Sequence, residues 1–147
     1  MPVLNKPAIA FNPSFLPISH GLHTILNQVL AQHPDSYGAK HITINFRDKS
    51  YSAEKGGYHP VEIALTKLTD GNYSIIYITD FSYCGNAYPE LERDTDFDIG
   101  NSMVFSRYTG WQNIRLPAMA ELYELWEANF VGYVDMEVYD QIQVEFS

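Results

Sequence analysis

The chain has 147 residues, 46% of them hydrophobic and 18% charged, which describes an ordinary globular protein long enough to bury a core. Its 18 acidic residues against 9 basic ones leave a net charge of −9, which argues against direct contact with nucleic acid or an anionic membrane surface, since both need clustered Lys and Arg. Cys84 is the single cysteine; with no internal disulfide, no basic-then-apolar leader and no apolar run of membrane-spanning length, the expected compartment is the cytoplasm.

Residues 1–18 carry Pro2, Pro7, Pro13 and Pro17 and show no period. They predict an extended N-terminal arm, with Ile9, Phe11, Phe15 and Leu16 lying along the body of a single domain over 1–147 or against a partner chain. Ser19 is the N-cap of a helix in which Leu22, Ile25, Leu26, Val29 and Leu30 share one face; Pro34 and the turn at Asp35–Gly38 end it. From His41 to Arg47 the residues alternate, with Ile42, Ile44 and Phe46 pointing one way, as in a half-buried strand. Asp48 to Gly57 is a polar turn.

Gly56 to Cys84 reads as a β-hairpin around Thr69-Asp70-Gly71-Asn72. A two-residue Asp-Gly loop would set Thr69 opposite Asn72, Leu65 opposite Ile76, Ile63 opposite Ile78 and Val61 opposite Asp80. Val61, Ile63, Leu65, Ile76 and Ile78 then form a core face, and Glu62, Ala64, Thr66, Ile75, Tyr77 and Thr79 the other. At the open end His59, Asp80, Ser82 and Cys84 fall on the core side, and Tyr58, Phe81 and Tyr83 opposite. A three-residue loop would shift this register.

Beyond it, Gly85, Asn86 and Pro89 suggest a loop, and Met103 to Tyr108 a further strand. Pro117 suits the first turn of a second helix with an apolar stripe of Met119, Leu122, Tyr123, Trp126 and Phe130; Glu121, Glu124 and Glu127 fall on its wet side, and Gly132 is the expected residue just past its end. Gln141 to Phe146 alternates as a last strand, with Asp140 a bulge or turn before it. The order is helix, three or four antiparallel strands, helix, strand. It predicts an α+β fold with a curved antiparallel sheet, covered by helices on one side and wet on the other.

Three clusters could carry chemistry. His59 beside Asp80 can be oriented and kept basic, with Cys84 as a conceivable nucleophile or the pair as a weak divalent-metal site. Against a catalytic role, no nucleophile signature surrounds Ser82 or Cys84. The alternating acids Glu90, Glu92, Asp94, Asp96 and Asp98 resemble the opening of a calcium loop, but Gly100 comes one residue late and Phe105 stands where the bidentate Glu belongs. That leaves Asp94, Asp96 and Asp98 as weak metal candidates beside the alternatives of a solvated loop or a charged edge strand. Tyr58, Phe81, Tyr83 and Tyr88 with Glu62 could line a pocket. No phosphate loop or cofactor motif is present, so no cofactor is expected.

The segments RDKSYSAEKGGYHPVEI (Arg47 to Ile63), YITDFSY (Tyr77 to Tyr83) and ELERDTDFDI (Glu90 to Ile99) resemble a gammaproteobacterial family known only as a domain of unknown function. The resemblance implies a small α+β roll, broadly of cystatin or nuclear-transport-factor shape, and no activity. The expectation is a non-catalytic binding or interaction domain whose surface, at the open end of the 58–83 hairpin, uses Tyr58, His59, Glu62, Asp80 and Tyr83 to hold a small molecule or a protein. The alternatives are a small enzyme or metal-binding protein using His59, Asp80 and Cys84, and an acidic protein that occupies a basic or nucleic-acid-binding partner. A homodimer fits the sequence as well as a monomer.

Overall fold

The computed structural model describes residues 9–85 and 87–147; the start of the expected arm and Asn86 of the expected loop lie outside the described residues. Helix α1 (His20–Ala31) begins where Ser19 Oγ accepts the Leu22 amide, and it buries Leu22, Ile25, Leu26 and Leu30. Strands β1 (His41–Arg47), β2 (Val61–Lys67), β3 (Tyr73–Cys84), β4 (Glu90–Asp98), β5 (Met103–Ser106) and β6 (Gly110–Asn113) follow. Helix α2 (Pro117–Asp135) and strand β7 (Gln141–Phe146) complete the chain. The strands form one curved, unclosed antiparallel sheet in the order β6-β5-β4-β3-β2-β1-β7. No helix among the described residues is long and apolar enough to cross a membrane.

Six strands precede α2 where the sequence predicts three or four. The difference lies in 85–113. The acidic run is a strand and not a solvated loop: it pairs with β3 along its length, and its second half, Thr95–Asp98, also pairs with β5 and is interior, whereas Glu90–Arg93 pairs with β3 alone and is a charged edge. Its charge hid its strand character. The strand expected from Met103 to Tyr108 ends at Ser106, where a turn leads into β6.

The hairpin departs from its expected register at one end and keeps it at the other. Leu68 N–H donates to the Asn72 carbonyl and Gly71 N–H to the Leu68 carbonyl, which makes Thr69-Asp70-Gly71 a three-residue loop with Gly71 at φ +85°. Leu65 therefore faces Ile75, not Ile76, and Ile75 is the buried residue. A bulge between Ala64 and Leu65 absorbs the extra residue, so Ile63↔Ile78 and Val61↔Asp80 pair as the sequence predicts.

The arm from Ile9 onward lies along the body as expected. Tyr73 N–H donates to the Ala10 carbonyl and Asn12 N–H to the Tyr73 carbonyl, Phe11 stacks on His23 at 4.3 Å, and Leu16 is buried. Phe15 instead stays exposed, with the Arg115 guanidinium over its ring.

Both helices pack on the face of the sheet built from Ile42, Ile44, Phe46, Ile63, Ile78 and Phe97. Phe46 meets Phe130 edge-on at 5.1 Å and Phe97 meets Tyr123 at 5.0 Å, the geometry aromatic quadrupoles prefer. Helix α2 runs past Gly132 to Asp135, and Glu137, at φ +58°, takes the left-handed position expected of Gly132. Glu127 is also not on the wet side. Its buried carboxylate accepts the Ser19 N–H at 3.1 Å and the Tyr123 hydroxyl at 2.5 Å, joining the start of α1 to α2. Removing it would orphan both donors. Glu127→Ala is expected to lower the unfolding free energy by about 2–3 kcal/mol, whereas exposed Glu124→Ala should change it by less than about 0.5 kcal/mol, both read from urea denaturation.

Candidate functional site

The loop before β2 is folded so that it delivers His59 to the sheet. Ser52 and Gly56 exchange backbone hydrogen bonds, and Asp48 accepts from the Ser50 amide and hydroxyl and from the Tyr58 amide. The Ser50 hydroxyl bond, followed by those amides, holds the Asp48 carboxyl below its ordinary range. At Gly57, φ is +135° and a Cβ would stand 3.0 Å from the Tyr51 Cα, so only glycine lets the loop close this tightly. The Pro60 carbonyl then accepts the Phe81 amide, which places His59 beside Asp80.

Asp80 lies on the helix side of β3. Its Oδ1 accepts the His59 Nδ1–H at 2.7 Å and its Oδ2 accepts the Trp126 indole N–H from α2 at 3.0 Å. A second bulge completes the cluster. Asp80 pairs with Thr95 and Phe81 with Arg93, so Asp94 is the extra residue on β4, and the bulge breaks the alternation that would otherwise turn it away. Asp94 Oδ2 comes to 3.5 Å from His59 Nδ1, while its Oδ1 faces the Arg107 guanidinium at 3.7 Å. Arg107 also donates to the Ser82 hydroxyl. The hydrogen bond to Asp80 raises the His59 pKa, against the opposing pull of burial. Burial and the Asp80 charge together raise that of Asp94.

Beside this cluster, Tyr58, His59 and Asp80 face Trp126, Phe130 and Tyr133 of α2 across a cavity of about 170 Å³. Tyr58 belongs to this side, its ring edge-on to Tyr133 at 4.8 Å, and not with Phe81 as the alternation predicts; it precedes the strand, so strand parity does not govern it. Tyr83 does not line the cavity; its amide donates to the Tyr51 hydroxyl, and the Tyr51 ring contacts both Tyr83 and His59. Glu62 is on the opposite face, where it accepts the Tyr77 hydroxyl. Cys84 hydrogen-bonds to Ser82, whereas the contacts of His59 are with Asp80, Asp94 and Tyr51. The expected thiol–imidazole pair is therefore not assembled. Nor are the three weak metal candidates: Asp96 is buried on the open face against Thr79, where burial raises its pKa, and Asp98 lines the same open-face depression.

Sequence reasoning did not single out Tyr51, Arg107 or Tyr133 for the site. Tyr133 continues the Trp126–Phe130 stripe by one helical step and would have emerged had the helix been carried past Gly132. Tyr51 and Arg107 sit in turns, where no period marks them.

A group whose folded pKa is raised stabilises the fold below its unfolded value of about 6.5 and loses that contribution as pH rises through the folded value. Asp80→Asn keeps the shape and an acceptor for Trp126 but removes the charge facing His59. In a histidine NMR titration it should lower the His59 midpoint. The melting-temperature gap between wild type and variant should be widest on the acid side of that midpoint, above the range where carboxylates protonate, and should narrow as the solution becomes alkaline.

Two solved structures share this architecture. A hypothetical protein, VC0508, from the VSP-II pathogenicity island of Vibrio cholerae is 47% identical, the match covering 92% of this chain and 99% of that one, with a TM-score of 0.85. The conserved hypothetical protein VC1805, from pathogenicity island VPI-2 of V. cholerae O1 biovar eltor, is 46% identical over 92% and 99%, with a TM-score of 0.83, and is described as sharing structural homology with the human P32 protein. No curated protein matches. The model of the family described as protein of unknown function (DUF2787) spans residues 20–145, from the first residue of α1 into β7, and the chain belongs to that family.

Proposed function

We propose that the chain is a non-catalytic binding domain whose ligand seats between the 57–61 segment, Asp80 and α2. One observation carries this reading: the His59–Asp80 pair stands on the wall of a cavity otherwise walled largely by aromatic rings. Small-molecule sites combine mostly apolar walls with a few placed polar groups. A cavity of about 170 Å³ suits a group about the size of a benzene ring, so the ligand is a small molecule or the tip of a partner's side chain. Its apolar body would lie against Trp126, Phe130 and Tyr133, and its polar atom would face His59 and Asp80.

The arrangement favours binding over nucleophilic catalysis. Ser82 Oγ is engaged by Arg107, and neither it nor Cys84 is paired with the imidazole. The rival reading, an acidic surface for a basic partner, gains little from β4, because the bulge sends Asp94 to the helix side while Asp96 faces the other way.

A screen of ring-sized polar fragments by amide NMR tests the proposal. Binding fragments should perturb Tyr58, Asn129 and Tyr133, and Tyr133→Ala should weaken them by about tenfold or more, about 1.4 kcal/mol. Tyr108→Ala, at a ring 88% exposed and absent from the cavity wall, should leave them unchanged. Fragments that map instead to the open-face depression around Tyr77 and Arg93, or a screen without hits, would overturn it.

A further inference from the structure

We infer that His59, Asp80 and Asp94 form a binding site for a divalent transition-metal ion, with Zn²⁺ its best-matched occupant. One donor atom from each lies within 4.8 Å of the others. Two of the separations, 2.7 Å and 3.5 Å from His59 Nδ1 to Asp80 Oδ1 and Asp94 Oδ2, bracket the spacing of about 3.3 Å between neighbouring ligands around a tetrahedral zinc with bonds of about 2.0–2.1 Å. One imidazole with two carboxylates suits such an ion better than calcium or magnesium, which take oxygen alone.

Proximity of acids alone would not make a site. The independent observation is how each carboxylate is held. The Trp126 indole N–H takes Asp80 Oδ2 and leaves Oδ1 facing His59; the Arg107 guanidinium faces Asp94 Oδ1 and leaves Oδ2 facing His59. In both acids the outer oxygen is engaged from behind and the inner one presented, the pattern by which outer-shell groups orient metal ligands. With the imidazole neutral, as metal ligation requires, two carboxylates face one guanidinium and the net charge around the donors is negative; at 16% and 21% side-chain exposure of the two acids that charge is less screened than on open surface. The donors come from a loop, a strand and a bulge. Three protein ligands leave a position for water or for a ligand atom.

The inference stands on these three side chains and does not require a ligand in the adjoining cavity. The test uses the full chain, stripped with a chelator and dialysed, and ZnCl₂ alone. At a hundredfold excess over Kd, Zn²⁺ should raise the melting temperature by about 5–10 °C, and His59 should be the imidazole whose NMR signals move, among five histidines. Asp94→Asn and His59→Ala should each abolish the shift, and Trp126→Phe should weaken the Zn²⁺ affinity about 10- to 100-fold. Tyr133→Ala should leave it unchanged while weakening fragments, which separates this site from the cavity. No Zn²⁺ response from the wild type, or a response retained in both Asp94→Asn and His59→Ala, overturns the inference and leaves the cavity reading untouched.

Discussion

Strand β3 is the central strand of the sheet, fourth in the order β6-β5-β4-β3-β2-β1-β7, and its register is the constraint to which everything else is fitted. Side chains in a strand alternate with a period of two, so a slip of one residue would exchange its buried and exposed sets. β3 meets that constraint with one irregularity on each side. The bulge opposite β2 compensates a three-residue turn and keeps Ile63 and Ile78 in the core. The bulge opposite β4 falls between Asp80 and Phe81, at the mouth of the helix-covered face. The first preserves packing; the second re-aims a carboxylate. Bulges beside functional sites commonly have this effect.

Helix α2 is the other half of the arrangement. It is tied to α1 through Glu127 and to the sheet through the Phe46–Phe130 and Phe97–Tyr123 contacts. That fixes Trp126, one residue before Glu127, over Asp80. Trp126 belongs to both systems: its ring stacks on Phe130 at 5.0 Å, and its N–H reaches the carboxylate. A polar tip on a ring already held by the core is oriented at little further entropic cost. The Trp126 end of the site therefore draws its rigidity from the core.

Where hydrophobic periodicity is strong, as along α1, β1 and the middle of the hairpin, elements and faces were legible from the residues alone. The pairing of Val61 with Asp80, and with it the juxtaposition of His59 and Asp80, followed from alternation counted away from the turn. It survived an incorrect turn because the bulge cancelled the error. Ile75 and Ile76 sit between turn and bulge, and there the faces were reversed. β4 was opaque because an interior strand normally reads as apolar, whereas this one carries its acids on both faces and buries Asp96 and Phe97 together. Glu127 was misplaced for a related reason: periodicity ranks a carboxylate as solvent-facing, and only the tertiary fold supplies the Ser19 and Tyr123 donors that let it be buried.

The open end of the hairpin also shows why the polar groups there need one another. His59 takes its place through Asp80, and Asp94, half-buried beside another carboxylate, is unfavourable unless a positive charge faces it. Arg107 supplies one such charge from behind; the protonated imidazole supplies the other from in front. A dication seated among the inner oxygens would do what the imidazole proton does, with greater charge, and would require that proton to leave. The same geometry can therefore hold a proton or a metal, but not both on Nδ1. The Trp126 hydrogen bond and the Arg107 ion pair hold the outer oxygens and leave the two inner ones facing His59 whichever cation is present. Exchanging the proton for a metal would require the 2.7 Å contact between His59 and Asp80 to open toward the spacing of about 3.3 Å between neighbouring zinc ligands, a small movement on side chains whose outer atoms are already held.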